Sequence, residues 1–388
     1  MEIIVDFDRR ISKFASKFEA KYNESGLQVR MDHPGMPSQN ELKTVGRIVC
    51  DSEAKLNEKS CLLETSREIG SGCMVPLALE NIESYSLFPG QIVGIEGMNF
   101  NGDLLKVSKL EHGMQNGQNA TLTSKLVEYQ HKIMEGDPLV VAIAAGPFFR
   151  ETTELDVLND FLQNQITADV IILLGPFVDS SSKLLESHFN HDLFKLVTDA
   201  IDNFSQQFPH PQIIMMPSPH DDVVPAKFPQ PALQHSNVIC LSNPATFMIN
   251  EIVFTVANID ILFHMNPTLI SKQGSDRLSR MFQHILEQQN VYPLFPPAIG
   301  ASIDYNLFSH LDLEVSPDVL ICPSNLKQFC KQVGDTVCIN PSHVVKGNRK
   351  GMFARMVVFP IPKDDLVKEE IEITSQISQR ARVEIIKL

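Results

Sequence analysis

The sequence predicts an α/β protein with an all-β appendage, a small barrel of about five strands followed by a larger domain in which strands alternate with helices. Three observations lead there. Short strand-like runs separated by turn residues fill 45–110, and after residue 137 the runs become wholly apolar and alternate with helical stripes. Further strands near the C-terminus then look antiparallel, as a two-sheet sandwich flanked by helices requires.

The elements follow in order. Ile11, Phe14, Ala15, Phe18 and Tyr22 recur at helical spacing, so one amphipathic helix opens the chain. Gly26, Pro34, Gly35 and Pro37 break both periods and mark 23–40 as a linker. Strands are expected over 45–50, 60–64, 73–79, 91–97 and 103–110, with a short helix over 77–85. Pro89-Gly90 suits a type II turn, and Asn101-Gly102 is the preferred type I′ pair of a hairpin. An OB-fold is the economical barrel for this set.

After a polar connector, 139–145 and 170–174 read as strands buried on both faces, separated by a helix carrying Leu155, Leu158, Phe161 and Leu162. A second helix follows with Leu193, Val197, Ile201 and Phe204 on its stripe, and then a strand over 212–216. The Pro-rich stretch 221–236 is loop, and strands are expected over 238–241, 251–256 and 259–264. A helix striped by Leu278, Met281, Phe282, Ile285 and Leu286 precedes strands over 318–322, 336–339, 352–359, 370–374 and 382–386. The domains read are 1–40 (helix and linker), 41–115 (barrel), 116–136 (connector) and 137–388 (α/β).

The charge narrows the function classes. With 33 Lys and Arg against 47 Asp and Glu the formal charge is −14, the wrong sign for a chain whose affinity comes from wrapping phosphate backbone. The hydrophobic fraction, 43%, suffices for packed cores. Seven cysteines (Cys50, Cys61, Cys73, Cys240, Cys322, Cys330, Cys338) without a C-x-x-C pair suggest neither a disulfide framework nor a zinc knuckle. The acidic N-terminus is unlike a signal peptide and no run approaches a membrane span, so a soluble, intracellular protein is expected.

Chemistry should sit in the loops after the α/β strands, because ligands of open α/β sheets bind at strand carboxyl ends. Four loops stand out: Ala145-Gly146-Pro147-Phe148, Leu174-Gly175-Pro176-Phe177-Val178-Asp179, Pro217-Ser218-Pro219-His220-Asp221 and Ile339-Asn340-Pro341-Ser342-His343. Their order and spacing resemble the calcineurin-like metallophosphoesterases, whose equivalent loops carry D-x-H, G-D-x-x-D, G-N-H-D and G-H-x-H around two metal ions. Here Gly146 and Phe148 stand for Asp and His, Pro176 for the bridging Asp and Pro219 for Asn, while His220, Asp221 and His343 survive. Proline offers no ligand atom, so no metal, cofactor or catalytic residue is expected. His220, His264 and His343 could be set together as a vestigial single-metal site; solvated or locally bonded histidines are the plainer reading.

No P-loop, G-x-S-x-G, H-E-x-x-H or complete G-x-G-x-x-G occurs; Gly70-Ser71-Gly72 lacks the third glycine. For single-strand binding the second and third barrel strands lack aromatic platforms, and Lys43, Arg47, Lys55 and Lys59 are matched by Asp51, Glu53, Glu58 and Glu64. Protein contact is the job expected of the barrel. Lys346, Arg349 and Lys350 form a small basic loop, most simply a solvated turn.

A barrel followed by a phosphoesterase-type domain with degraded metal loops resembles the B (accessory) subunits of the replicative DNA polymerases, in detail that of DNA polymerase alpha/primase. The residues that carry the likeness begin with Gly46-Arg47-Ile48, Cys50-Asp51-Ser52, Lys55-Leu56-Asn57, Tyr85-Ser86-Leu87-Phe88-Pro89-Gly90-Gln91 and Gly175-Pro176-Phe177. They continue with Asp260-Ile261-Leu262-Phe263-His264, Ser275-Asp276-Arg277, Tyr292-Pro293-Leu294-Phe295-Pro296-Pro297, Ile303-Asp304-Tyr305, Pro317-Asp318-Val319-Leu320-Ile321, Asn340-Pro341, Lys346-Gly347 and Phe353-Ala354-Arg355.

The resemblance implies a non-catalytic nuclear subunit that grips the zinc-bearing C-terminal domain of the polymerase alpha catalytic subunit. Through that complex it would hold the primase subunits, touching DNA only indirectly and no membrane. It also implies an N-terminal helical module on a tether, of which only the helix around Ile11–Tyr22 is seen here before the barrel. An obligate interface of that kind buries more than about 2,000 Å². Tyr85, Phe88, Tyr292 and Phe295 are its candidate anchors, with plugging of the domain junction by Phe88 and Tyr292 as the alternative. The competing functions are a metal-dependent phosphodiesterase or nuclease with a reduced metal site, and an OB-fold single-stranded DNA binder.

Overall fold

The computed structural model describes residues 2–24, 29–52, 55–272, 276–366 and 370–388; Gly26, Glu53 and Ser275, used in the sequence reading, lie outside them. The chain divides into two compact units, each built from two segments: Met1–Asn116 with His264–Glu314, and Gly117–Phe263 with Val315–Leu388. The sequence reading kept 137–388 continuous, whereas residues 264–314 cluster with the barrel segment. Long-range hydrogen bonds explain why, since Gln288 Oε1 accepts from Ile92 N–H at 2.8 Å and Gln288 Nε2 donates back to Ile92 O at 2.8 Å. His284, wholly buried, stands 2.9 Å from Ser86 Oγ.

In the first unit the opening helix runs Glu2–Glu24, because Phe7 extends the stripe of Ile11, Phe14 and Phe18, all buried. The strands Leu42–Cys50, Cys61–Glu64, Met74–Ala78, Leu105–Glu111 and Ile92–Met98, in that lateral order, form a closed five-stranded barrel. Its core is Ile48, Leu63, Val75, Val93, Ile95, Leu105 and Val107.

The Phe88–Gln91 turn forms with Gly90 at φ +96° and Gln91 N–H on Phe88 O at 3.2 Å. At Asn101-Gly102 only Gly102 has positive φ, so the expected type I′ hairpin is replaced by a wider loop in which Asn99 Oδ1 accepts from Gly102 N–H. The helix expected over 77–85 is absent: Met74–Ala78 is strand, and Tyr85–Leu87 pairs antiparallel with Ile270–Lys272. A short helix stands instead at Arg67–Gly70, capped by Ser66.

The second unit is a two-sheet sandwich. One sheet has the order Ile239–Cys240, Gln212–Met216, Val170–Leu174, Leu139–Ala145, Met352–Val358, Ala381–Lys387; its first four strands are parallel and its last two antiparallel. The other has the order Ala245–Ile249, Ile252–Val256, Val319–Ile321, Thr336–Asn340, Phe329–Val333. The core between them joins Val141, Ile143, Ile172, Leu174 and Met216 to Phe254, Val319, Ile321 and Ile339. Helices Asp156–Gln163 and Asn190–Gln207 cover the outer face of the first sheet through Leu158, Phe161, Val197 and Ile201.

Two readings change here. The run 259–264 contains the start of a helix, Ile261–Met265, because Asp260 Oδ1 accepts the N–H of Phe263 at 3.1 Å and turns the chain. The polar connector contains the strand Ala120–Leu122 and helical turns over Thr123–Val127 and Glu128–Ile133. None of the helices among the described residues is long and apolar enough to cross a membrane.

Candidate functional site

The second unit brings the four predicted loops together at the carboxyl ends of their strands. His343 Nδ1 lies 2.6 Å from Gly146 O, so the ring donates to the first loop from the fourth. Asp179 and Asp221 form a β-bridge between the second and third loops. Asn258, on the loop after Ile252–Val256, donates to Gly175 O and Pro217 O, each at 3.0 Å. Asn258 was not anticipated, although it follows an apolar strand just as the other loops do.

Asp221 is the pivot. Its side chain is buried, Oδ1 accepts the N–H of Phe177 and of Val178 (3.1 Å), and Oδ2 accepts Ser218 N–H at 2.8 Å. A residue that would coordinate metal in a phosphoesterase here clasps backbone. Burial pushes its pKa up to about 7, against the downward pull of the three N–H groups. A Cβ at Gly175 would overlap Asp221 Oδ2, and one at Gly146 would overlap Pro176 O. No side chain of any kind fits at those two positions while the loops hold this path.

The remaining polar groups are used locally. Asp179 Oδ1 accepts from Ser181 N–H and Oγ–H, both at 2.8 Å. Asn340 Oδ1 accepts the N–H of Ser324 and Ser342 at 3.0 and 2.9 Å. Phe148 stacks on Phe177 with ring centroids 5.5 Å apart, and both are fully buried. Pro219 and Pro147 supply no ligand atom, and His220 is exposed. Burial lowers the His343 pKa, which favours the neutral ring; with Nδ1–H given to Gly146 O, its Nε2 is a buried acceptor that meets no hydrogen-bond donor among the described residues.

His264 belongs to the first compact unit, where its Nδ1 lies 3.1 Å from the Tyr292 hydroxyl. Among the described residues no group of three or more His, Cys, Asp or Glu is placed to hold a metal ion. These loops do not fit the dinuclear centre of a phosphoesterase, since Asp221 is buried with both its oxygens on backbone N–H groups and Gly146, Phe148, Pro176 and Pro219 supply no side-chain ligand atom.

Of the four residues read as anchors, Tyr85, Phe88 and Tyr292 are buried within the first unit and Phe295 is half-buried. Phe88 packs edge-on to His284 at 5.2 Å, and the Tyr292 hydroxyl accepts from Ala298 N–H at 3.2 Å. Both side chains are thus packed inside the first unit. Phe295 lies edge-on to Phe7 at 4.6 Å, in a cluster where the Arg47 guanidinium sits 3.9 Å from the Phe7 ring and 4.8 Å from that of Phe295.

Comparison with known proteins places these observations. Residues 141–331 match the family described as the B subunit of DNA polymerases alpha and epsilon, and residues 5–113 match the OB domain of the DNA polymerase alpha B subunit. The DNA polymerase alpha B subunit of Schizosaccharomyces pombe is 31% identical over 418 residues, covering 98% of this chain and 70% of that one. That of Rattus norvegicus is 34% identical over 366 residues, covering 88% of this chain and 59% of the relative. That of Saccharomyces cerevisiae is 32% identical over 420 residues, covering 91% and 59%. The chain thus spans 59% of the length of the rat and budding-yeast relatives.

Among solved structures, an archaeal phosphodiesterase aligns over 61% of this chain and 99% of its own at 14% identity, with a TM-score of 0.28. The closed five-stranded barrel lies within the residues that match the OB domain, and the second unit is a two-sheet sandwich. By its matched domains and its relatives, the chain belongs to the family of DNA polymerase alpha B subunits.

Proposed function

We propose that this chain is a non-catalytic accessory subunit of a DNA polymerase alpha–primase assembly, acting in the nucleus during primer synthesis. It grips the zinc-bearing C-terminal domain of the catalytic subunit, holds primase through that complex and reaches DNA only through its partners. Family membership supports the assembly, and the inward clasp of Asp221 carries the non-catalytic reading. A carboxylate whose two oxygens are both engaged by backbone N–H groups, three in all, is turned inward to hold loops together and is not presented to organise a metal-bound hydroxide.

Within the first unit, the half-buried Phe295 and the fully exposed Ile299 mark the stretch we propose for partner contact. Apolar side chains left in water beside a rigid, Pro-rich loop are what an interface core recruits.

Co-expression with a polymerase alpha catalytic subunit tests the reading. Recovery of a stoichiometric complex, together with no Mn²⁺-dependent phosphodiesterase activity in the purified chain, is the expected result. Recovery of the chain alone, with hydrolysis abolished by His220→Ala or His343→Ala, would overturn it in favour of a reduced metal site.

A further inference from the structure

The basic loop near the C-terminus is more than a turn. The strands Val345–Lys346 and Arg349–Lys350 form a hairpin that, with Lys387 of the last strand, lines a cavity of about 550 Å³. Lys346, Arg349, Lys350 and Lys387 contribute four cations to that lining, and among the described residues no Asp or Glu lines it. In a chain with 47 acidic residues against 33 basic ones, a carboxylate-free cavity of this kind runs against the overall charge.

The register sharpens the point. Lys346 stands directly opposite Arg349 across the hairpin, and like charges facing each other on adjacent strands repel. The base of the hairpin is held in place. Val344 N–H donates to Ala145 O at 2.8 Å, Gly351 N–H to Val344 O at 2.7 Å, and the outer edge is tied down by Lys350 to Asp160 and by Asn348 Nδ2 to Glu151 at 3.2 Å. Lys350 therefore spends part of its charge on Asp160, whereas Lys346 and Arg349 are exposed. An anion with two or more charges, lying between those two side chains, would relieve their repulsion. Arginine's planar fork suits a phosphoryl group in particular.

We propose that this cavity is a binding site for a phosphoryl anion, a diphosphate or the polyphosphate of a nucleotide, held by Lys346 and Arg349. The volume admits a ligand of nucleotide size. The cavity meets the phosphoesterase-type loops only at Ser342 and His343, does not include Asp221 and does not depend on the accessory-subunit reading.

Isothermal titration of the full chain with pyrophosphate, and separately with ATP, tests it. Saturable binding with a dissociation constant below about 1 mM is expected, weakened at least about tenfold in Lys346→Glu and weakened by added salt. Equal affinity for the two ligands would assign the site to the phosphoryl group alone, and tighter ATP binding would assign it to a nucleotide. Lys125→Glu, the same charge change at an exposed helical lysine outside the cavity, should leave binding intact. Absence of saturable binding, retention of wild-type affinity in Lys346→Glu, or an equal loss in Lys125→Glu would each overturn the proposal. Thermal melts of both variants, expected to match wild type because both side chains are exposed, exclude unfolding as the cause.

Discussion

Gly175 leaves empty the space that the carboxylate of Asp221 fills: a Cβ on Gly175 would overlap Asp221 Oδ2. The two positions therefore depend on each other. Gly175→Ala should destabilise the fold by about 1–3 kcal/mol, the usual cost of overpacking a buried site. Combined with Asp221→Ala it should cost clearly less than the sum of the single changes, because the clash disappears with the carboxylate. Urea midpoints of the four proteins measure the coupling, and strict additivity would refute it.

Asp221 also makes a pH prediction. Its folded pKa of about 7 lies above its ordinary value of 3.8, so the folded state binds the proton more tightly than the unfolded chain. The stabilisation linked to that proton is complete below about pH 4 and is lost as pH rises through about 7. Asp221→Asn should remove this part of the slope, while costing about 1–3 kcal/mol because its NH₂ faces the Ser218 N–H. Glu287, half-buried in the first unit and also raised to about 7 by desolvation, adds a slope of the same sign to both proteins, so the difference between them is the observable. An unchanged slope in the variant would count against the assignment.

Arg47 lies over the rings of Phe7 and Phe295, and its Nε donates to Glu64 Oε2 at 2.8 Å. Arg47→Lys keeps the charge but not the flat guanidinium, and should cost about 1–2 kcal/mol. Arg47→Ala should cost more, about 3–5 kcal/mol, since it strips Glu64 of its partner. Chemical denaturation ranks the three; a lysine variant as stable as wild type would show that charge alone matters there.

Phe88→Ala should cost about 3–5 kcal/mol, because the ring is completely buried. Any loss of partner in that variant then follows from a damaged fold. Ile299→Asp, at a fully exposed position, should change stability by less than about 0.5 kcal/mol and still reduce recovery of the catalytic subunit. Recovery undiminished in Ile299→Asp would remove this residue from the interface.

Chelation gives the simplest check on the four loops at the strand ends. With Asp221, Asp179 and Asn340 committed to N–H groups of the protein, neither EDTA nor excess Mn²⁺ should move the melting temperature. A shift of more than about 2 °C would mean that an ion binds the folded state and that the loops rearrange around it.

Much of the fold was legible because its signals are local. The runs 139–145, 170–174 and 212–216 became strands with those same bounds; the first two are apolar throughout, as burial on both faces requires, and in the third the buried Ile213–Met216 follows the exposed Gln212. The stripe of Met281, Phe282, Ile285 and Leu286 became the helix Arg277–Glu287 for the equivalent helical reason. The edge strands Ala245–Ile249 and Phe329–Val333 were missed because each is partly exposed and mixes polar with apolar residues. The run 259–264 misled because β-branched residues beside Asp260 score as strand, while the carboxylate of Asp260 caps a helical turn.

The candidate site divides in the same way. The sequence alone determined which side chains could take part: glycines, prolines and Phe148 where ligands would stand, with His220, Asp221 and His343 left over. It could not determine where those survivors point. Only the tertiary structure turned Asp221 onto the N–H groups of Phe177 and Val178, brought His343 to Gly146 across 197 residues, and pinned Gln288 to Ile92 across 196. Residue type and period are properties of neighbours along the chain. The direction of a buried polar group is set by whichever unsatisfied partner the folded chain brings within about 3 Å, and that partner is usually far away in sequence.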